Sequence, residues 1–396
     1  MNAAVEHPVA ERAARGPLSG IKVVEMAGLG PTPFTAMVMA DLGAEVVRLD
    51  RVGRSNPGNP MTPENDVLNR SRRSVAVDIK HPDGRQLVLD LVAQADVLIE
   101  GFRPGVMERL GLGPDDLAAV NPALVFGRMT GFGQTGPLAQ AAGHDINYIA
   151  VAGVLDPIGP TERPVIPLNL VGDFGGGGML LVVGILAAVL EARTSGKGQV
   201  VDAAIVDGAA LLSTILYGMR AQGIWSDRRA DNLLDGGCHF YNVYECADGR
   251  WLAVGAIEPQ FYAALLSGLG VGDDEEFRRG HVDASLWPTL RDRVAGLVAS
   301  RTLEAWLREF EGTDACVTAV VPLGGTVEDP HLASRRVIVE VDGRVQPAPA
   351  PRFSRSELAP PSAPVRPGEN TDAALADWGI DSDRVARLVA AGVLGR

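Results

Sequence analysis

Cysteine is scarce in this chain of 396 residues, which contains only Cys238, Cys246 and Cys316 and no C-x-x-C pair. Because metal-type spacing is also missing, the sequence predicts neither a disulfide framework nor a zinc site, and a reducing compartment is expected. Positive charge is in short supply as well, since the formal net charge is −13. That balance argues against a nucleic-acid partner, which requires a broad basic face.

Uncharged runs of membrane-span length are also missing. Residues 1–17 form a charged tail without the apolar segment of a secretory signal. The uncharged stretch 174–190 has four glycines near its start and is shorter than the roughly 20 residues that a membrane span needs. We therefore expect a buried helix there, no membrane span and a cytoplasmic protein.

The length of the chain predicts two domains, and 46% hydrophobic with 21% charged residues is typical of a globular enzyme. Short strands that alternate with helices predict a Rossmann-like parallel sheet in residues 18–231. The pattern changes near residue 232, so 232–345 is expected to form a smaller α+β domain. Residues 346–396 are predicted to be a proline-rich return linker and a C-terminal helix that packs on the large domain.

The individual elements follow from apolar periodicity and from glycine and proline positions. Strands are predicted at 21–26, 44–49, 74–79, 97–99 and 124–128, with a hairpin over 240–254. Helices are predicted near 32–42, 85–93, 105–110, 259–269, 287–300, 302–311 and 371–394, and a glycine-rich turn at 175–178.

Gly28 and Gly30 follow the first strand and Asp50 ends the second, in the manner of a dinucleotide-binding fingerprint. The third glycine is missing, however, and Pro31 and Pro33 remove backbone donors that a pyrophosphate would use. The sequence therefore favours a Rossmann-like sheet without NAD, in which the glycines form a tight turn between strand and helix.

A run of cations suits a phosphorylated ligand better. It comprises Arg51, the segment 69–74 (NRSRRS), Lys80, Arg103 and Arg109. Because ligands of α/β sheets collect at the carboxyl ends of strands, we predict that Arg51, Lys80 and Arg103 converge on one phosphate-rich ligand. For any single arginine, a solvated basic loop is the alternative interpretation.

Three segments, 143–150 (GHDINYIA), 169–178 (NLVGDFGGGG) and 258–262 (EPQFY), resemble the α-methylacyl-CoA racemase branch of the family III CoA-transferases. Supporting matches are 99–105 (IEGFRPG), 130–137 (TGFGQTGP) and 195–199 (SGKGQ), and the resemblance runs from Leu18 to near the C-terminus. It implies an acyl-CoA substrate that brings coenzyme A with it, no metal and no other cofactor, and an interlocked homodimer.

The resemblance further implies that His144 and Asp173 face each other across the α-carbon of a 2-methylacyl-CoA. One base removes the α-proton to give an enolate, and the other returns a proton to the opposite face, which interconverts the (R) and (S) epimers. Burial is expected to raise the pKa of Asp173 towards the operating pH. The alternatives are a core histidine for His144 and a helix N-cap for Asp173.

Asp145 stands where related CoA-transferases carry their nucleophilic aspartate, but His144 precedes it, which indicates a changed role. The family implies that the Asp145 backbone N–H donates to the thioester oxygen. It also implies that Glu258 of the partner subunit hydrogen-bonds His144, with a solvated helix-start carboxylate as the alternative. A CoA-transferase that uses Asp145 covalently and a non-catalytic CoA-ester binding protein are the rival functions.

Other positions are secondary candidates. Tyr148, Val77 and Arg109 are assigned to coenzyme A binding, and Asn169 and Tyr241 to support of the substrate pocket. Packing or turn capping is the alternative for Tyr148 and Asn169. Cys238 and His239, just before the first strand of the small domain, either affect substrate choice or merely pack.

Overall fold

The computed structural model describes residues 16–53 and 60–396, so most of the predicted tail lies outside the described residues. Contacts divide the chain into two compact units. Unit 1 holds the described residues up to Ala152, together with Asn169–Leu212 and Arg335–Arg396. Unit 2 holds Gly153–Leu168 and Ser213–Ser334. The division differs from the predicted boundaries because residues 153–168 and 213–231 group with unit 2, and 335–345 with unit 1.

The strands within the described residues are, in chain order, β1 (Lys22–Met26), β2 (Glu45–Asp50), β3 (Arg73–Val77), β4 (Val97–Glu100), β5 (Val125–Thr130), β6 (Val200–Ala204), β7 (Tyr241–Glu245), β8 (Trp251–Gly255), β9 (Val317–Ala319), β10 (Ile338–Val341), β11 (Arg344–Pro347) and β12 (Leu394–Gly395).

The α-helices of the same residues are α1 (Pro31–Asp41), α2 (Pro82–Val92), α3 (Val106–Arg109), α4 (Pro114–Val120), α5 (Asp145–Val151), α6 (Leu180–Ser195), α7 (Ile205–Leu212), α8 (Thr214–Gln222), α9 (Pro259–Gly268), α10 (Glu275–Gly280), α11 (Trp287–Val298), α12 (Leu303–Glu309), α13 (Pro330–Arg335), α14 (Thr371–Asp377) and α15 (Ser382–Ala390). A π-helix, Leu170–Met179, leads directly into α6. Short 3₁₀ turns occur at Pro63–Asn65, Val67–Asn69, Ala284–Leu286 and Leu323–Gly325.

Unit 1 is built on a sheet of seven strands in the order β12-β3-β2-β1-β4-β5-β6. The strands β1 to β6 are parallel, and only the edge strand β12 runs antiparallel, beside β3. The order 3-2-1-4-5-6 is that of a Rossmann-like sheet, whose direction of growth reverses between β1 and β4. The predicted α/β class is therefore confirmed.

Helices cover both faces of this sheet, which is why its central strands are apolar throughout rather than alternating. One core cluster includes Leu87, Leu98 and Trp378. The cluster on the other face includes Val23 and Ile185. Because α2, α6 and α14 bury their apolar sides in this way, the sheet is held rigidly, and the loops at its carboxyl ends are positioned on a fixed frame.

The helical run Leu170–Ser195 is long and apolar enough to cross a membrane by length and composition, and 44% of its most apolar window is buried. Leu181, Ile185 and Val189 of α6 belong to the core cluster on the sheet. The run is therefore placed as a core helix in unit 1, in agreement with the buried helix predicted for residues 174–190.

Two predicted elements of unit 1 are wrong in detail. The glycine-rich turn at 175–178 lies inside the π-helix, where the absence of side chains lets the wide helix pack closely: a Cβ on Gly176 would lie 2.6 Å from the Ala209 nitrogen. The single C-terminal helix over 371–394 is instead α14, α15 and β12. Gly379 and Gly392 end the two helices in left-handed conformation, which interrupts the predicted periodicity.

Unit 2 contains an antiparallel sheet in the order β7-β8-β9, and β7 with β8 forms the hairpin predicted over 240–254. Helices α9, α11 and α12 match the predicted helices to within a few residues. Phe277, Leu290 and Trp306 form part of its core. The sequence interpretation missed α10 and β9, and it missed the β10–β11 hairpin of unit 1.

Candidate active site

The candidate catalytic residues of unit 1 follow strands at the carboxyl edge of the sheet. The loop after β1 carries Gly30, and the chain after β5 leads to His144 and then to Asp173. A Cβ built on Gly30 would lie 3.2 Å from Asp173 Oδ2, so the second candidate base lies beside the loop where the sheet reverses direction. In open α/β sheets, ligands bind in the crevice at this position.

His144 is the N-cap residue of α5, immediately before Asp145. Its backbone N–H donates to Asn147 Oδ1 at 3.0 Å. The Tyr148 hydroxyl donates to the Gly143 carbonyl, and the Tyr148 ring packs edge-on against Phe132. The His144 side chain is exposed, and among the described residues its imidazole has no hydrogen-bond partner. The backbone is thus held in place while the ring nitrogens stay available.

Asp173 lies in the first turn of the π-helix and is half-buried. Burial raises the pKa of its carboxyl group, and the negative charge of Asp145 raises it further. The hydrogen bond from Asn169 Nδ2, 3.4 Å long, and the nearby His144 act in the opposite direction. A carboxylate with raised pKa is a better proton acceptor near neutral pH than an ordinary aspartate.

Asp145 is 6% exposed and its carboxylate points inward. Oδ2 accepts the backbone N–H of Asp173 at 2.7 Å, while Oδ1 is buried without a hydrogen-bond partner in the described residues. This side-chain contact was not predicted from the sequence, which gave the Asp145 carboxylate a role only in the rival, covalent CoA-transferase function. Its two residues are 28 positions apart in the chain, and no local pattern indicates it.

Among the cations predicted to bind a phosphorylated ligand, four are exposed, whereas two arginines of the segment 69–74 are buried. Arg51, Lys80 and Arg103 are exposed and follow β2, β3 and β4, so they lie along the same edge of the sheet. Arg109 is exposed at the end of α3, whereas the Val77 side chain lies in the core. The assignment of all five to coenzyme A stays a prediction.

The segment 69–74 is different, because two of its arginines are structural. Arg70 pairs with Asp41 at 2.5 Å, and both side chains are nearly fully buried. Arg72 donates to both carboxylate oxygens of Glu25 at 3.1 Å and to the Pro33 carbonyl at 2.8 Å. These contacts tie the segment before β3 to β1 and to both ends of α1. The expectation that this whole run serves a phosphate is therefore corrected for Arg70 and Arg72.

A second buried carboxylate, missed in the sequence, shapes the loop that carries Arg103. Glu100 at the end of β4 is fully buried, and its Oε2 accepts the Phe102 backbone N–H at 2.7 Å. Its Oε1 accepts from Arg128 Nε at 2.9 Å, and Arg128 also reaches Glu108. The Glu100 carboxylate thus fixes the turn from which Arg103 projects.

In unit 2, Glu258 is the exposed N-cap residue of α9, and its carboxylate has no hydrogen-bond or ion-pair partner among the described residues. Tyr241 on β7 is partly exposed. His239 is fully buried, and its Nε2 lies 2.7 Å from the Tyr262 hydroxyl, which donates to the Phe277 carbonyl. Burial lowers the pKa of His239 to about 4. His239 is therefore a neutral core histidine, and Cys238 is buried beside it.

The Rossmann order of the sheet defines an α/β protein, and an exposed histidine with a half-buried aspartate of raised pKa are its candidate acid–base residues. The chain belongs to CoA-transferase family III, whose family model matches residues 18–371.

Two curated relatives share nearly the whole chain. Alpha-methylacyl-CoA racemase of Mus musculus is 45% identical over 94% of this chain and 96% of the mouse protein. The protein of the same name from Homo sapiens is 44% identical over the same shares. Among solved structures, a CaiB/BaiF family protein from Brucella suis has a TM-score of 0.77 at 26% identity, covering 92% of this chain and 100% of that chain. The family resemblance stated from the sequence is confirmed.

Proposed function

We propose that this chain is a racemase that interconverts the (R) and (S) epimers of 2-methylacyl-CoA thioesters. The mouse and human relatives that carry the name of this activity match 94% of the chain. The observation that carries the proposal at the site is the buried Asp145 carboxylate, which is hydrogen-bonded to Asp173 and turned inward, next to the exposed, unpaired imidazole of His144. This arrangement favours proton transfer over a covalent aspartyl intermediate.

In the proposed reaction one base is unprotonated, as a neutral imidazole or an ionised carboxylate, and the other base holds a proton. The first removes the α-proton, and the electron pair that is left moves into the thioester carbonyl to give an enolate. The second base then gives its proton to the opposite face of the α-carbon, so the products are the inverted thioester and an enzyme with its proton moved to the other base. Burial raises the pKa of Asp173, which makes its carboxylate a better proton acceptor near neutral pH.

Negative charge develops on the thioester oxygen as the enolate forms, and a hydrogen-bond donor stabilises it. The backbone N–H of Asp145, at the start of α5, has no acceptor among the described residues and supplies this donor in the proposal. Losing one such donor typically costs about 3 kcal/mol of transition-state stabilisation. Coenzyme A enters as part of the substrate, with Arg51, Lys80, Arg103, Arg109 and Tyr148 as its proposed contacts, and the proposed chemistry uses no other cofactor.

We further propose that the enzyme is a cytoplasmic homodimer and that Glu258 of the partner subunit hydrogen-bonds His144. An unpaired carboxylate in unit 2 and an unpaired imidazole in unit 1 are the contact partners that this scheme requires. Exposed apolar side chains of unit 1 support this proposal, because a second copy of the chain would bury them. Val183, Leu190 and Leu211 are 58%, 69% and 60% exposed.

Incubation of one pure epimer of a 2-methylacyl-CoA in D2O tests the proposal. A racemase yields both epimers and places deuterium at the α-carbon, and the same result is expected after exhaustive dialysis of the enzyme against a chelator. Transfer of coenzyme A to an added free carboxylate, with an Asp145 anhydride that hydroxylamine traps, would instead indicate a CoA-transferase. Binding without exchange for any branched acyl-CoA would indicate a non-catalytic binding protein.

A further inference from the structure

The side chain of Asp145 links the segments that carry the two candidate bases. Asp145 follows His144 directly in α5, and its Oδ2 accepts the backbone N–H of Asp173 in the π-helix at 2.7 Å. The approach is so close that a Cβ on Gly172 would lie 2.3 Å from that same oxygen. Only a glycine at position 172 leaves room for this contact.

We propose that the carboxylate of Asp145 is a positioning residue for Asp173, which it places opposite His144 by holding the Asp173 backbone N–H. The inference rests on the proposed racemase function and adds a role that is separate from the backbone N–H of Asp145. A single chain of contacts, from His144 through Asp145 to the Asp173 amide, sets the separation of the two bases.

The π-helix cannot supply this restraint itself. In a π-helix each N–H bonds to the carbonyl five residues back, and the first such bond here runs from Phe174 to the Asn169 carbonyl. The Asp173 N–H comes one residue earlier, so it has no acceptor inside the helix. The carboxylate of Asp173 has only the 3.4 Å bond from Asn169 Nδ2. The Asp145 contact is therefore the strongest polar restraint on Asp173.

Asp145 also carries a charge that acts on the second base. The titratable groups that face Asp173 are His144, Asp145 and Tyr148, and of these Asp145 raises the pKa of the Asp173 carboxyl group. The Asp145 side chain thus affects both the position and the basicity of Asp173, and two substitutions distinguish these effects. Asp145→Asn keeps an oxygen that accepts the Asp173 N–H but removes the charge, whereas Asp145→Ala removes both. Both keep the backbone N–H of residue 145.

The test measures α-proton exchange in D2O separately from each epimer of one 2-methylacyl-CoA. His144→Ala and Asp173→Asn first assign each epimer to the base that removes its proton. Asp145→Ala is expected to slow exchange at the Asp173 face by about 10–100-fold, the range for loss of a hydrogen bond to a charged group, with a much smaller effect at the His144 face. Asp145→Asn is expected to lose less of the exchange rate at the Asp173 face. It is also expected to shift the low-pH limb of the pH–rate profile for that face to lower pH.

Asp202→Ala is the matched control, because Asp202 also accepts a backbone N–H, that of Gln134 at 3.4 Å, and is not among the groups that shift the pKa of Asp173. It is expected to change both faces by the same factor. Equal losses at the two faces in both Asp145 variants, or no loss in either, would overturn the inference while leaving the racemase function intact. A wild type without exchange from either epimer would overturn the function and the inference together.

Discussion

Replacing Gly172 with alanine perturbs the contact between Asp145 and Asp173 without altering either side chain. The new Cβ would lie 2.3 Å from Asp145 Oδ2 and 2.8 Å from Asp145 Cγ, distances that real Cβ atoms essentially never show. The carboxylate must therefore withdraw by about 1 Å, which stretches its hydrogen bond to Asp173 beyond the usual range. Loss of a bond to a charged acceptor is worth about 1.5–3 kcal/mol, or about 10–100-fold in rate.

The assay is the racemisation rate of a 2-methylacyl-CoA, with circular dichroism to confirm folding. Gly175→Ala is the control in the same π-helix, because its Cβ would meet its nearest atoms, the Leu170 carbonyl oxygen and Leu212 Cδ1, at 3.1 and 3.3 Å. We expect the control to stay within about five-fold of wild type, as local adjustment suffices for such contacts. A folded Gly172→Ala enzyme with the wild-type rate, or a control that is equally slow, would show that the contact between Asp145 and Asp173 does not control the reaction.

Three further predictions follow from the same structure. Glu25→Gln leaves the buried Arg72 without its ionic partner and should lower the free energy of unfolding by about 3–5 kcal/mol in urea titrations, and an unchanged value would contradict the role given to this pair. Asp173 must be ionised to accept a proton and its pKa is raised, so exchange at its face should disappear with falling pH at a midpoint above 3.8. Asn169→Ala removes a hydrogen bond that lowers this pKa and should therefore move the midpoint higher still. A midpoint at or below 3.8 would be inconsistent with the burial of Asp173. Co-expression of His144→Ala chains with Glu258→Gln chains should restore about one quarter of wild-type activity if each site combines residues of two subunits, because half of the dimers then hold one intact site. A site within one chain predicts no recovery.

The alternation of apolar strands and helices was enough to predict the Rossmann-like sheet, because buried parallel strands such as β4 are apolar along their whole length. The same local signals failed where distant residues decide the structure. β12 has two residues, too few for a periodic pattern, and exists because Leu394 pairs with Val77 of β3. Glycines 175–178 indicate a turn locally, but they lie in a π-helix that packs closely on α7 at Gly176 and on α1 at Gly178.

The candidate site divides in the same way. Spacing alone left His144 and Asp173 open to ordinary structural roles, and the resemblance of their motifs to a known family singled them out. The residues that hold the bases in place were missed, because Asp145 meets Asp173 across 28 positions and Arg72 meets Glu25 across 47. Such carboxylate contacts depend on which helices and strands become neighbours, and the sequence around Arg72 therefore predicts a phosphate contact rather than its buried partner.

The central claim is that two bases, His144 and Asp173, act on opposite faces of one α-carbon. Deuterium incorporation from D2O, measured from each pure epimer with His144→Ala and Asp173→Ala, tests it most directly. If the two bases act in this way, both variants lose net epimerisation and each retains exchange from one epimer only, a different epimer in each. Retained epimerisation in either variant, or exchange that survives from the same epimer in both, would contradict it.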